Sequence, residues 1–332
     1  MTSIRDVAAA AGVGVGTVSR VLNDSPHVSP ETRVRVEAAI ARLGYQPNLT
    51  ARALSLGRST SICVVVAPLD DPGVTERLAG AVEVLSKGRF ELVLSVAEKP
   101  EDVARIVDGR SSLDRAAGIL FLGVPVAAEA AEGLLAAEVP AAVSGSVPSI
   151  LAGSWADGTS AVRMATEHLI GLGHREIALV QHQESAHPGQ APRRQGHLDA
   201  LRAVGARPRI ETDVDPKDPA RRKRIEQLIS PSGGITAVAT TSDDLAYAVL
   251  AGATAAGCIV PDDVSVVGSG DLAPSAYVGL TTVREDLSAS AAWAAEQLLR
   301  MIDGTVSEPT RMEVQLELVV RDMTGPPPRP VS

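Results

Sequence analysis

Residues 3–23 constrain this chain more than any other stretch, because they hold two short helical patterns joined by one glycine. Ser3 can cap the first helix, with Asp6 three residues on as its acidic partner. Ile4, Val7, Ala8 and Ala11 then fall on one face at helical spacing. Gly12 supplies the tight turn that two crossed helices need. The second arm buries Val18, Val21 and Leu22, so Val15, Gly16, Thr17, Ser19 and Arg20 face outward, a surface that a DNA major groove accepts. A third helix follows, with Ser29 as cap, Pro30 in its first turn, Val36, Ile40 and Leu43 on one face and Gly44 as its stop.

Charge separates this end from the rest. Residues 1–60 carry seven arginines against four carboxylates, a balance of +3, whereas the whole chain of 332 residues stands at −9, leaving −12 for the remainder. A basic module suits an approach to phosphates. A hydrophobic content of 45% over this length supports two or three domains with a sizeable core. Cys63 and Cys258 are the only cysteines and suggest neither a disulfide framework nor a zinc ribbon; with no apolar leader and no run long enough to span a bilayer, the expectation is a cytoplasmic protein acting at the nucleoid.

The pattern Asp-Val-Ala-x-x-Ala-Gly-Val-x-x-x-Thr-Val-Ser-Arg-Val-Leu-Asn, Asp6 to Asn23, resembles the DNA-reading headpiece of the lactose repressor/galactose repressor (LacI/GalR) family of bacterial transcription regulators. Two departures stand out: Gly14 replaces the serine that caps the recognition helix, and Gly16 replaces a base-contacting side chain. Tyr45 to Leu56 is similar to the family's hinge, in which a leucine wedges into the minor groove; the matching residue is Leu54. The resemblance implies DNA contacts from Ser3, Arg5, Val15, Gly16, Thr17, Ser19, Arg20 and Asn23 and, in the hinge, from Asn48, Ala51, Arg52 and Leu54. Arg20 has the planar fork that suits guanine O6 and N7, and Val15 can meet a thymine methyl. Thr17, Ser19, Arg5 and Arg52 suit phosphates.

From Ser61 the texture changes to strands alternating with helices, as in 62–67, 90–96, 118–122 and 139–143 and, further on, 177–181, 237–240 and 264–267. Such alternation predicts an α/β core of parallel sheets covered on both faces, in two lobes with a ligand between them. The core resembles the type I periplasmic binding proteins that this family shares. The expected domains are a headpiece at 1–46, a hinge at 47–60, and a core at 61–323. Within the core, lobe 1 takes 61–156 and 286–315 and lobe 2 takes 157–285 and 316–323, before a disordered tail at 324–332.

Local motifs extend the likeness. Arg193-x-x-Gly196 matches the family's effector-reaching arginine, Ser242-Asp243-x-x-Ala246 matches its Asn-Asp-x-x-Ala, and Gly268-Ser269-Gly270-Asp271 matches its Gly-(Phe/Tyr)-Asp-Asp with the first acid replaced by Gly270. The resemblance implies effector contacts from Asp157, Arg193, Ser242, Asp243 and Asp271; the alternatives are a structural role lining the hinge for Asp157 and helix-cap or turn roles for Ser242, Asp243 and Asp271, the cap reading being favoured for Asp243. With seven aromatic residues in the chain, surfaces for stacking a pyranose are scarce; Trp155, Tyr247 and Tyr277 are the candidates, and a common free monosaccharide is not expected.

Other function classes find little support. Histidines 168, 174, 182, 187 and 197 lack a metal-ligand spacing. Gly12-x-Gly14-x-Gly16 follows no strand and is not a dinucleotide fingerprint; no nucleophile elbow or phosphate loop occurs. The expectation is a non-enzymatic regulator without cofactor or metal. It would repress transcription as a homodimer on near-palindromic duplex operator DNA under a small-molecule effector, with no membrane partner. A solute-binding protein of the same core is the alternative.

Overall fold

The computed structural model describes residues 3–22, 25, 27–45, 59, 61–87, 90–108, 116–146, 150–182, 190–212, 220–230, 234–306 and 308–329. They form two compact units, 1–60 and 61–332.

In the first unit, α1 (Ile4–Ala11), α2 (Val15–Leu22) and α3 (Pro30–Leu43) enclose a small core of Val7, Ala8, Ala11, Val18, Val21, Val36 and Ala39. Ala39 rather than Ile40 is the fully buried residue of that turn of α3; Ile40 packs at the edge. Ser29 accepts from the Thr32 amide, and Gly44 closes α3 in the left-handed conformation at φ +58°.

The second unit holds two six-stranded sheets. The first runs β11 (Arg311–Glu313), β5 (Ala152–Trp155), β4 (Ala141–Ser144), β3 (Ala116–Leu122), β1 (Ser61–Val66) and β2 (Glu91–Val96), all parallel. Side chains alternate across β1, so Ile62, Val64 and Val66 pack under α4 (Pro72–Leu85) and α12 (Leu287–Ile302). Cys63 and Val65 face the opposite way, toward α5 (Pro100–Asp108) and α6 (Ala128–Ala136).

The second sheet runs β12 (Glu317–Val319), β10 (Thr281–Arg284), β9 (Ser265–Gly270), β8 (Ala237–Thr240), β6 (Ile177–Gln181) and β7 (Arg209–Thr212), with only β12 antiparallel to its neighbour. One face is covered by α7 (Gly158–Gly171) and α8 (Gln190–Ala203), the other by α9 (Arg221–Ile229) and α10 (Asp243–Ala256). A short α11 (Ala273–Tyr277) follows β9. Because β11 joins the first sheet and β12 the second, the chain passes between the lobes three times: after β5, between β10 and α12, and between β11 and β12.

Two expectations change. The strand at 90–96 is an edge whose Leu92, Val93, Leu94 and Val96 are exposed rather than buried. The segment expected to be a free tail is tied at its start. His174 Nε2 donates to the Gly325 carbonyl at 2.8 Å, the Gly325 amide donates to Ser265 Oγ at 3.0 Å, and Thr324 Oγ1 meets His168 Nε2 at 3.0 Å. Buried polar groups in the second lobe find their partners there, which orders the start of the segment. Among the described residues no helix is long and apolar enough to cross a membrane.

Candidate nucleic-acid interface and interlobe cleft

The headpiece builds its outward face from local bonds. The Asp6 amide donates to Ser3 Oγ at 3.4 Å while the Ser3 amide donates to the Asp6 carboxylate at 2.8 Å, closing a capping box that lowers the Asp6 carboxyl below its usual range. Gly12 stands at φ +64°, the left-handed turn that a residue with a side chain adopts only with strain. Helix α2 then starts with the Gly14 carbonyl accepting from the Thr17 and Val18 amides. Val18 and Val21 face the core, whereas Val15, 42% exposed, Gly16 and Arg20 lie on the solvent side, with Thr17 and Ser19 half-buried at its edges. Ser3 and Arg5 are exposed at the start of α1. Asn23, Asn48, Ala51, Arg52 and Leu54 lie outside the described residues.

The second unit gathers charge between its lobes. Gly196 lets α8 press on α7, since a side chain there would strike the Thr159 carbonyl; this lays Arg193 across the start of α7 at Gly158. The Arg193 fork meets Glu285 end-on, Nη1 to Oε1 at 2.8 Å and Nη2 to Oε2 at 2.9 Å. Ser269 Oγ donates to the same Oε1 at 2.7 Å and accepts from Arg193 Nη1 at 3.2 Å. Burial pushes the Glu285 carboxyl up, but the charge and hydrogen bonds of Arg193, with Ser269 and the charge of Arg77, outweigh it and hold it below the usual carboxylate range. Glu285 sits on the crossing from β10 to α12, so the pair ties the second lobe to the chain entering the first.

The acids have structural duties. Asp157 caps α7 through Thr159 N and Ser160 Oγ, near enough for its charge to act on Arg193. Asp243 is fully buried: Oδ1 accepts from Thr282 Oγ1 at 2.6 Å and Oδ2 from Leu272 N at 2.8 Å and Ser275 Oγ at 2.6 Å. Burial raises its carboxyl, those bonds only partly opposing it. Having no exposed oxygen, Asp243 fastens β9, β10 and α11 together and leaves the set of expected ligand contacts. Asp271 is likewise held by Arg284 Nε at 2.8 Å and Arg321 Nη2 at 2.7 Å. Ser242 Oγ is 3.2 Å from His182 Nε2, which also lies 3.3 Å from Asp244 Oδ2.

A cavity of about 310 Å³ opens at the lobe junction, lined by Glu76, Gly270, Asp271, Arg284, Asp286, Leu287 and Ser288. Gly270 stands at φ +130°, a backbone state that disfavours the acid expected there by resemblance. The aromatic candidates are scattered: Tyr247 bonds Ser275 Oγ at 2.7 Å beside the second-lobe core, Tyr277 is 90% exposed, and only Trp155 closes a strand at the crossing. Among the described residues no group of His, Cys, Asp or Glu could hold a metal ion.

Comparison with known proteins decides between a regulator and a solute-binding protein. Residues 3–48 match the model of bacterial regulatory proteins of the lacI family, and residues 166–324 match that of a periplasmic binding protein-like domain. The chain is 33% identical over 331 residues to the HTH-type transcriptional regulator CelR of Thermobifida fusca, covering 95% of this chain and 96% of that one. The chain belongs to the lacI family. It is a DNA-binding transcription regulator. The HTH-type transcriptional regulator GalR of Escherichia coli K12 is 30% identical over 314 residues, covering 91% and 90%. The lac repressor dimer bound to operator and the anti-inducer ONPF superposes with a TM-score of 0.83 at 28% identity, covering 98% of this chain and 99% of that one. A CelR–cellobiose complex does so with a TM-score of 0.67 at 30% identity, covering 97% and 100%.

In this lacI-family chain Asp271 alone of the five expected contacts lines the cavity at the lobe junction, Arg193 is paired with Glu285 on the crossing between the lobes, Asp157 caps α7 nearby, Ser242 lies beside His182, and Asp243 is interior. Sequence reasoning missed Glu285 and Arg77. Signals existed for both: Glu285 follows the last apolar strand where the chain returns to lobe 1, and Arg77 lies one helical turn before Ala81, at the edge of the face that α4 buries.

Proposed function

We propose that this protein is a repressor that binds a near-palindromic operator as a homodimer and is controlled by a small molecule held between its lobes. The observation that carries this is the face of α2, where Val15, Gly16 and Arg20 stand exposed over a core that needs none of them. Arg20 reads guanine, Val15 meets a thymine methyl, Thr17, Ser19 and Arg5 hold phosphates, and the Leu54 hinge kinks the site. Exposed Leu92, Val93, Leu94 and Val96 on edge strand β2 and the bare Tyr277 ring support a covering second copy, since an open apolar edge invites pairing. No catalytic role is assigned to the cleft, where Asp271 is held by two arginines, Asp157 and Asp286 cap helices and Glu76 accepts from the Ala273 amide. Ligand binding that favours one lobe arrangement changes operator affinity, and operator changes ligand affinity by the same factor.

The test is selection of sites from random duplex DNA by the full chain, followed by footprinting. A two-fold symmetric site protected on both halves supports the reading. Enrichment of an asymmetric single half-site, or none at all, overturns it.

A further inference from the structure

The cleft holds a second arginine that the fold leaves incompletely bonded. Arg77 reaches from α4 in the first lobe with a fully buried Nε that has no hydrogen-bond partner among the described residues. Its Nη1 makes one long bond, 3.3 Å, to the Gly73 carbonyl of its own helix. The guanidinium lies in a notch beside Gly123 and Gly145, which follow β3 and β4 at their carboxyl ends, where ligands of parallel sheets bind. A side chain at Gly145 would place its first carbon 2.7 Å from Nε. The negative charge of Glu285 and the positive charge of Arg193 both act on Arg77, yet both Glu285 oxygens are already taken by Arg193, with Ser269 added on one. Asp71, the other carboxylate whose charge reaches Arg77, spends an oxygen capping α4 at the Gly73 amide. A desolvated cation without a paired anion is costly, and a guanidinium fork suits carboxylate and phosphate oxygens.

We propose that the effector carries an acidic group, a carboxylate or a phosphate, whose oxygens lie on Arg77 while the rest of the molecule is held from the second lobe. This rests on the interlobe reading above and names the chemical class of its ligand. A neutral sugar would leave the Arg77 charge unmatched; an acid completes an alternation of two arginines and two anions across the cleft.

The full chain is melted at constant ionic strength in chloride, with and without inorganic phosphate, following Trp155 and Trp293, both in the second unit. Phosphate should raise the transition by a few degrees, saturably, and Arg77→Gln should abolish the rise while Arg77→Lys keeps part of it. Arg77→Gln should melt no lower than the unaltered protein when phosphate is absent, because the unmatched charge has gone. Glucuronate and glucose 6-phosphate, titrated against glucose, then tell which acid is preferred; the better should bind at least about tenfold more tightly than glucose, and Arg77→Gln should erase that difference. The proposal is overturned if phosphate produces no shift, or if the shift survives Arg77→Gln. Survival there with loss in Arg193→Lys still leaves the ligand between the lobes and removes only the role of Arg77. Survival in both variants removes the interlobe site as well.

Discussion

The headpiece and the interlobe cleft bury different kinds of atoms. Described buried side chains of the headpiece are valine and alanine alone, whereas the second unit also encloses Glu285, Asp243, His174 and His197. Apolar burial is additive and undemanding about partners, so a helix needs only the right spacing. Buried charge is conditional: each group is tolerable only while its partner is in place. The regulator thus puts an undemanding core under its DNA-reading face and a conditional one where a ligand would act.

Glu285→Ala is the variant with the largest expected effect on this contrast. It removes the paired carboxylate of Arg193, leaving only the more distant charge of Asp157, and should cost about 3–5 kcal/mol in urea unfolding followed by tryptophan fluorescence, with headpiece helicity unaffected. A loss under about 1 kcal/mol would mean that the pair is solvated and that the contrast is false.

Acid should separate the two regions next. The His197 imidazole is pushed down to about 4 by burial, its Nδ1 bonded to Thr166 Oγ1 at 3.0 Å. Its folded value lies below the unfolded value of about 6.5, so the unfolded chain binds the proton first. Stability is full above about pH 6.5 and declines toward pH 4, by about 2 kcal/mol at pH 5. Burial lowers His168 and His174 in the same direction. Urea midpoints of the core at pH 7.5, 6 and 5 should therefore fall, and His197→Gln should flatten the slope; an equal slope in that variant would assign the acid lability elsewhere.

The smallest effect belongs to the headpiece. Nothing lies within 4 Å of a side-chain carbon built at Gly14, so Gly14→Ser can restore a cap to α2. A gain of a few tenths of a kcal/mol is expected, seen as slower amide exchange at Gly16 and Thr17. Faster exchange would show that Gly14 is needed for the turn rather than merely tolerated.

These differences explain what could be read before the structure. The capping box of Ser3 and Asp6, the turn at Gly12 and the faces of α1 to α3 depend on residues three or four apart, and periodicity exposes them. The strand and helix alternation of both lobes was equally legible. The cleft was not, because Arg193 meets a partner 92 positions away and Asp243 meets Thr282 across 39. Resemblance pointed to Arg193 and Asp243 alike, but a family motif does not say which carboxylate is consumed by the fold. The exposure of Leu92, Val93, Leu94 and Val96 was hidden for a related reason: apolar composition cannot distinguish an interior strand from an edge strand.

The central claim is that sequence is read by the headpiece while the cleft decides when. Its most direct test is the affinity of the full chain for a selected site and for a scrambled duplex at one salt concentration, with Arg20→Ala and Glu285→Gln compared. Arg20→Ala should weaken the selected site by about 1–3 kcal/mol per half-site and leave the scrambled duplex nearly unchanged, while Glu285→Gln leaves the ratio of the two affinities intact. Equal losses on both duplexes for Arg20→Ala would contradict the claim.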